Sequence, residues 1–203
     1  PVKAFFTSTS LSQQTTQVNP VDMVGGFLRT TIMGTGGIGT AIAIAAKSFG
    51  LEVIGLNSDG RAVDGFSTCY RSADRLAFAE GLDYLVGVLP QTSQTDNLID
   101  HELLMRLNPQ AIVMNLGRGN AVVEADLIAS LTAGHLRAAV LDAFRVEPLP
   151  PDDPLWSTPG VHITSHTAGP TPDEAIGKVF ERNLKLYIAG EPLFDAVLAS
   201  RGY

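Results

Sequence analysis

Three polar side chains in the C-terminal half of the sequence have the types needed for chemistry on a small oxo acid: Arg118, Glu147 and His166. A planar guanidinium bridges a carboxylate and the carbonyl beside it with two hydrogen bonds, so Arg118 suits orienting a 2-oxo acid and polarising its carbonyl. Hydride addition to that carbonyl leaves an alkoxide, which needs a proton. An imidazole exchanges protons near neutral pH, so His166 suits giving the proton and taking it back in reverse. A carboxylate on the far ring nitrogen fixes the tautomer and stabilises the imidazolium, and Glu147 is the candidate. Each residue also has a plainer reading: a surface arginine, a solvated loop acid, a satisfied structural histidine. Yet they fall in order in Asn115-Leu116-Gly117-Arg118-Gly119, Asp142-Ala143-Phe144-Arg145-Val146-Glu147-Pro148-Leu149 and Ser165-His166-Thr167-Ala168-Gly169. Each segment follows a predicted strand, and ligands bind at the carboxyl ends of strands in an open α/β sheet.

A second constellation is Gly34-Thr35-Gly36-Gly37-Ile38-Gly39, which fits G-x-G-x-x-G. The pattern alone is a weak signal. Here it follows a predicted strand and opens a predicted helix, the context that dinucleotide binding requires. Gly34 permits the tight turn, Gly36 lets the backbone approach a pyrophosphate, and Gly39 lets helix and strand pack closely. The helix N-terminus adds free N–H groups and a partial positive charge. Residues 34, 36, 37, 38 and 39 are therefore candidate cofactor contacts. An NAD-binding protein places an acid about 20 positions on to hold the ribose. This sequence has Asn57 there, followed by Ser58-Asp59-Gly60-Arg61. An Asn removes the carboxylate that would repel a 2′-phosphate, Ser58 can donate a hydrogen bond and Arg61 supplies charge. NADP(H) is favoured over NAD(H), with Asp59 keeping NAD(H) open through a longer turn to the ribose.

The elements that must position these residues alternate. Apolar runs at 28–33, 51–56, 82–89, 111–116, 138–141 and 161–164 predict strands, with a short one near Cys69. Helices are predicted at 38–49, 71–79, 100–107, 124–133 and 171–189. In the first, Ile38, Ile42, Ala45, Ala46 and Phe49 would share the buried face, with Gly50 closing it. Asp100 would cap the third. Such alternation is the pattern of a parallel sheet covered on both faces. Before it, residues 7–20 are rich in Ser, Thr and Gln and read as a linker, preceded by a possible strand at 2–6.

Composition narrows the function classes. The 203 residues carry 14 Lys+Arg against 21 Asp+Glu, and a net charge of −7 argues against nucleic-acid binding. One cysteine rules out an internal disulfide and fits a reducing cytoplasm. Cys69 reads as a half-buried structural residue. No apolar run is long enough to span a bilayer, and no Cys/His cluster has metal-ligand spacing. His101, His135 and His162 read as structural, and Asp152 and Asp153 as solvated.

Together the segments resemble the D-2-hydroxyacid dehydrogenase family, which includes glyoxylate/hydroxypyruvate reductases and phosphoglycerate dehydrogenases. That family carries N-x-x-R-G, D-x-F-x-x-E-P-L and a later H-x-A, and Leu89-Pro90-Gln91-Thr92-Ser93-Gln94-Thr95 is similar to its L-P-x-T-x-x-T segment. Pro154-Leu155-Trp156 and Arg201-Gly202-Tyr203 are most similar to the glyoxylate/hydroxypyruvate reductase branch. The resemblance spans about 27–203 and implies an α/β, Rossmann-type doubly wound parallel sheet. It implies the three catalytic roles given above for Arg118, Glu147 and His166. It also implies that Leu89, Pro90, Gly117, Asp142, Ala168 and Gly169 lie along the cofactor.

Family members begin with a substrate domain, whereas 1–26 here reads as a short segment, a remnant of that domain and linker, before a dinucleotide-binding domain at 27–203. Two expectations follow: weakened catalysis on a half-exposed substrate, and a terminal helix with a bare apolar face that favours self-association, of which the family's homodimer is one form. Ser165, where the family has proline, predicts a looser histidine loop. The alternative function is an NAD(P)-binding module without catalysis. A methyltransferase leaves Arg118, Glu147 and His166 unexplained, and a short-chain dehydrogenase would need Tyr-x-x-x-Lys.

Overall fold

The computed structural model describes residues 29–169, 173–194 and 196. The segment at 1–26, with its possible strand, lies outside them, as do Thr171 and Pro172 at the start of the terminal helix. Seven parallel strands form one sheet: β1 (Arg29–Met33), β2 (Glu52–Asn57), β3 (Thr68–Arg71), β4 (Tyr84–Gly87), β5 (Ile112–Asn115), β6 (Ala138–Leu141) and β7 (Val161–Ile163). Their order is β3-β2-β1-β4-β5-β6-β7. The chain runs outward from β1 to one edge, then returns past β1 to build the other half. The reversal opens a crevice between β1 and β4 at the carboxyl edge of the sheet, the usual ligand position of a doubly wound sheet.

Helices α1 (Gly37–Ser48), α2 (Arg75–Phe78), α3 (His101–Leu104), α4 (Glu124–Thr132) and α5 (Asp173–Ala189) connect or follow the strands. Asp100 caps α3 as expected, its carboxylate accepting the Leu103 N–H at 3.0 Å. The expected helix at 71–79 is instead a 3-10 turn (Ser72–Asp74) running into the single turn of α2. Likewise α3 stops at Leu104. At one turn each, both segments depend on packing rather than on helix propensity. Phe78, Leu103 and Leu104 supply that packing, all buried in the larger of two apolar clusters.

The face of α1 differs from the expected one. Gly39 and Ala43 are its buried residues, with Ile42 and Ala46 packed beside them, whereas Ile38 is 60 % and Phe49 82 % exposed. The smallest side chains set the face, because they let the helix lie closest to the sheet.

The sheet is also not covered uniformly. In β1 and β4 successive residues are buried on both faces. In β5 and β6 burial alternates: Val113, Asn115, Ala139 and Leu141 are buried, while Ile112, Met114, Ala138 and Val140 are only half-buried. The terminal helix does not close that face. None of the described residues of α5 is buried, and Ile176, Phe180, Tyr187 and Ile188 are exposed. The expected bare apolar face is therefore present, and the expected cover on both faces holds for the central strands β1 and β4 but not for β5 and β6, nor for the edge strand β3, where no residue is buried. No helix among the described residues is long and apolar enough to cross a membrane.

Candidate active site

The glycine turn is shaped by close approach. Gly34 has φ +105°, and a Cβ there would lie 2.7 Å from the Val88 carbonyl oxygen. A Cβ on Gly39 would lie 1.9 Å from the Gly34 carbonyl oxygen, so no other residue fits. A Cβ on Gly36 would meet nothing within 4 Å: this position faces open space. Two of the three glycines thus serve the fold and one leaves room for a ligand. Helix α1 starts at this turn with no side chain capping it and no acid in its first turn. Its first N–H groups and partial positive charge are left for an anion.

Beside the turn lies a cleft of about 630 Å³. Gly34, Gly36 and Ile38 line it at the turn, Asn57 lines it from the end of β2, and the exposed Ser58 and Arg61 stand at its mouth. Leu89, Pro90, Gly117 and Arg118 line the opposite wall. Gly37 and Gly39 are not part of this lining: Gly37 is exposed beside it and Gly39 is buried beneath the turn. Asn57 is buried and turned inward. Its Nδ2 donates to Thr35 Oγ1 (3.1 Å) and to the Arg61 carbonyl (2.9 Å), and its Oδ1 accepts the Gly60 N–H (2.6 Å). Asn57 thus fastens the 57–61 turn and leaves Ser58 and Arg61 as the outward groups.

A second hollow, about 450 Å³, adjoins the first and shares Gln91 and Arg118 with it. Glu147, His166 and Arg145 line it. His166 Nδ1 lies 2.9 Å from Glu147 Oε2, and His166 Nε2 lies 3.4 Å from Arg118 Nη1. A guanidinium only donates, so Nε2 accepts and Nδ1 carries the proton toward Glu147. That is the tautomer assigned by its neighbours on both sides. The three residues of the proposed constellation therefore meet, from the loops after β5, β6 and β7, at the edge where the glycine turn lies. All are accessible: the His166 and Glu147 side chains are 45 % and 38 % exposed. Glu147 Oε1 accepts the Phe144 N–H at 2.9 Å. That amide foremost, then the hydrogen bond from His166 and the charges of His166 and Arg118, holds the Glu147 carboxyl below the usual carboxylate range.

Asp142 lines neither hollow and lies behind the Arg118–His166–Glu147 line. Its buried carboxylate accepts from the Thr164 hydroxyl and from the N–H groups of Thr167 and Ala168, each amide at 2.9 Å. The His166 N–H donates to its carbonyl at 2.8 Å. Burial alone would raise the Asp142 carboxyl, but the Thr164 hydroxyl and the two amides together hold it low. These bonds keep His166 at φ +55°, a backbone conformation that side chains other than glycine seldom adopt. The loop expected to be loosened by Ser165 is thus tied down from Asp142. Ala168 contributes its backbone to that tie, and Gly169 is exposed beyond it.

Sequence reasoning did not single out Arg145. Its Nε donates to the Val122 carbonyl (2.9 Å) and its Nη2 to the Asn120 carbonyl (2.7 Å) and to Asn97 Oδ1. It binds the Glu147 loop to the Arg118 loop, where Gly119 passes so close to Phe144 that a Cβ would lie 1.9 Å from backbone. Its partners are more than 20 residues away in sequence, and no local pattern announces them. Of the other histidines, His135 Nε2 faces the Leu104 carbonyl at 3.1 Å, and His101 and His162 are exposed.

The profile of the family described as "D-isomer specific 2-hydroxyacid dehydrogenase, NAD binding domain" matches residues 17–168. The glyoxylate/hydroxypyruvate reductase A of Salmonella heidelberg (strain SL476) is 38 % identical over 173 residues, covering 85 % of this chain and 55 % of its own length. The chain thus spans about half the length of the curated relatives it matches. Among solved structures, a D-isomer specific 2-hydroxyacid dehydrogenase from Xanthobacter autotrophicus Py2, in complex with NADPH and MES, superposes with TM-score 0.81 at 34 % identity. The match covers 87 % of this chain and 73 % of that one. An NADPH-dependent glyoxylate/hydroxypyruvate reductase from Sinorhizobium meliloti, in complex with NADP and sulfate, gives 0.80 at 32 % identity, covering 87 % and 57 %.

Proposed function

We propose that this chain, which belongs to the D-isomer specific 2-hydroxyacid dehydrogenase family, carries the cofactor and the proton-handling residues of a reductase for small 2-oxo acids such as glyoxylate and hydroxypyruvate. The observation that carries the reading is the Arg118–His166–Glu147 line, at 3.4 and 2.9 Å, opening onto the cleft beside the glycine turn. The dinucleotide fits that turn: Gly36 leaves open space and α1 begins uncapped beside it. When bound, the reduced nicotinamide supplies the hydride.

The chain's own residues do the rest. A 2-oxo acid entering between Arg118 and His166 replaces their mutual contact. Its carboxylate and carbonyl oxygen accept from the guanidinium, which holds the carbonyl carbon toward the cleft and draws charge onto the oxygen. His166, protonated on both nitrogens, gives its Nε2 proton to that oxygen as the charge develops. Glu147 keeps the ring in place through Nδ1 and stabilises the imidazolium beforehand. In the reverse direction His166 takes the proton back.

NADP(H) is the proposed cofactor and NAD(H) the second. No acid takes the Asn57 position, and Ser58 and Arg61 face outward at the mouth of the cleft. The bound NADPH and NADP named for the two neighbours point the same way. The domain is taken as 27–203, after a short segment at 1–26. The proposed setting is the cytoplasm, and the proposed assembly a homodimer, supported by the uncovered apolar residues of α5.

The test is turnover of glyoxylate and hydroxypyruvate with NADPH and NADH, followed through the absorbance of reduced nicotinamide. Reduction that disappears in His166→Ala while cofactor affinity is kept supports the reading. Nucleotide-dependent thermal stabilisation without any turnover assigns the chain instead as an NAD(P)-binding module without catalysis.

A further inference from the structure

The turn after β2 carries one cation for a 2′-phosphate and one anion set against it. Arg61 lines the mouth of the cleft, and its Nη1 donates to Asp59 Oδ1 at 3.0 Å. The same Oδ1 accepts the Arg61 backbone N–H at 3.3 Å, so the carboxylate is fixed by the turn as well as by the charge. Arg61 holds the Asp59 carboxyl below the usual carboxylate range, chiefly through that backbone N–H. The neighbouring arginine is matched in the same way. Arg71 packs under Gly60, where a Cβ would meet its Cγ at 2.6 Å, and its Nε donates to Asp74 at 3.0 Å. Two arginines and two aspartates therefore lie on or against this turn, and their formal charges cancel. A 2′-phosphate carries close to two negative charges, so it must share the Arg61 guanidinium with Asp59 or draw it away, and in either case it sits beside that carboxylate. A 2′-hydroxyl meets no such opposition.

We infer that Asp59 is a specificity-determining residue, which occupies Arg61 and so narrows the preference for a 2′-phosphorylated dinucleotide over its unphosphorylated counterpart. This rests on the assignment of the cleft mouth to the ribose. It adds that affinity for NADPH and NADH is poised by an internal counter-ion rather than set by Arg61 alone.

Asp59→Asn isolates the charge, because the amide oxygen can still accept the Arg61 N–H. Dissociation constants for NADPH and NADH are measured by calorimetry on the whole chain, wild type, Asp59→Asn and Arg61→Ala, at low and at physiological salt. Asp59→Asn is expected to tighten NADPH about three- to tenfold at low salt, less at higher salt, and to leave NADH within about twofold. Arg61→Ala is expected to erase the preference for NADPH. An unchanged NADPH:NADH ratio in Asp59→Asn, with the ratio lost in Arg61→Ala, overturns the counter-ion and leaves the phosphate site standing. A ratio indifferent to Arg61→Ala removes the phosphate site itself and the inference with it. Weakened NADH binding in Asp59→Asn overturns the inference in another way, by making Asp59 a ligand of the ribose hydroxyls.

Discussion

The two halves of the sheet build their parts of the site by opposite means. Around β1, β2 and β4 the strands are buried on both faces where they meet the cradle, and the cradle is made by what is missing: a Cβ at Gly34, at Gly36 and at Gly39. Around β5, β6 and β7 one face of the sheet is only half-covered, and the proposed catalytic groups are held by side chains reaching across long stretches of sequence. Asp142 ties down the His166 loop, Arg145 joins the Glu147 loop to the Arg118 loop, and Glu147 orients the imidazole. Where packing is dense, steric exclusion fixes geometry. Where it is open, directed hydrogen bonds do most of it, with the close approach of Gly119 to Phe144 the steric exception.

Substitutions can break this contrast. The largest effect is expected in the cradle. Gly39→Val places carbon against the Gly34 carbonyl, so it should cost at least about 3 kcal/mol and abolish cofactor binding, read by chemical denaturation and calorimetry. Gly36→Ala meets no protein atom, so it should keep its thermal midpoint yet bind cofactor at least about tenfold more weakly. Equal stability loss in both variants would end the claim that these glycines divide two tasks. On the catalytic side, His166→Ala should lower turnover by about 10²–10⁴-fold and leave the cofactor dissociation constant unchanged.

Smaller effects sharpen the comparison. Arg145→Ala removes the donors to two backbone carbonyls and should cost about 1–3 kcal/mol, again without touching cofactor affinity. A fall in affinity instead would show that the two halves are coupled. The smallest effect is in pH. Asp142 and Glu147 have folded-state pKa values held below those of the unfolded chain. Their contribution to stability is therefore fully present above the ordinary carboxylate range, near pH 4, and is lost as pH falls through the lowered values. Asp142→Asn should flatten the fall in thermal midpoint below about pH 4, and a curve as steep as the wild type would remove Asp142 from that role.

The same contrast explains what could be read in the sequence. Glycine spacing is local, so the turn at 34–39, its strand and its helix were legible in order. Arg118, Glu147 and His166 were legible through the segments around them, and the structure brings them within hydrogen-bonding reach. The supports were not. Nothing near Arg145 names Asn97 or Val122 as its partners, and Asp142 reads as a residue facing the cleft until the bonds from Thr164, Thr167 and Ala168 account for its carboxylate. Hydrophobicity weighed above size picks the buried face of α1 only in part: Ile42 and Ala46 do pack inward, but Ile38, Ala45 and Phe49 do not. Gly39 and Ala43 win the contact, and the larger Ile38 and Phe49 are left outside. Coverage of β5 and β6 is not legible in strand composition, since it depends on which elements pack over each face and their apolar runs look the same either way.

The position of β1 has a consequence for how the chain must assemble. It is the first strand described and it lies inside the sheet, between β2 and β4. The partner for one edge, β2, is synthesised by Asn57, but the other edge waits for Tyr84–Gly87, whose last residue comes 54 positions after Met33 (87 − 33). On a ribosome that interval is about 3–10 s. Throughout it, a nascent strand bearing Ile32 and Met33 offers unpaired amides to any passing chain, so translation that pauses before residue 87 should be the moment of greatest need for a chaperone.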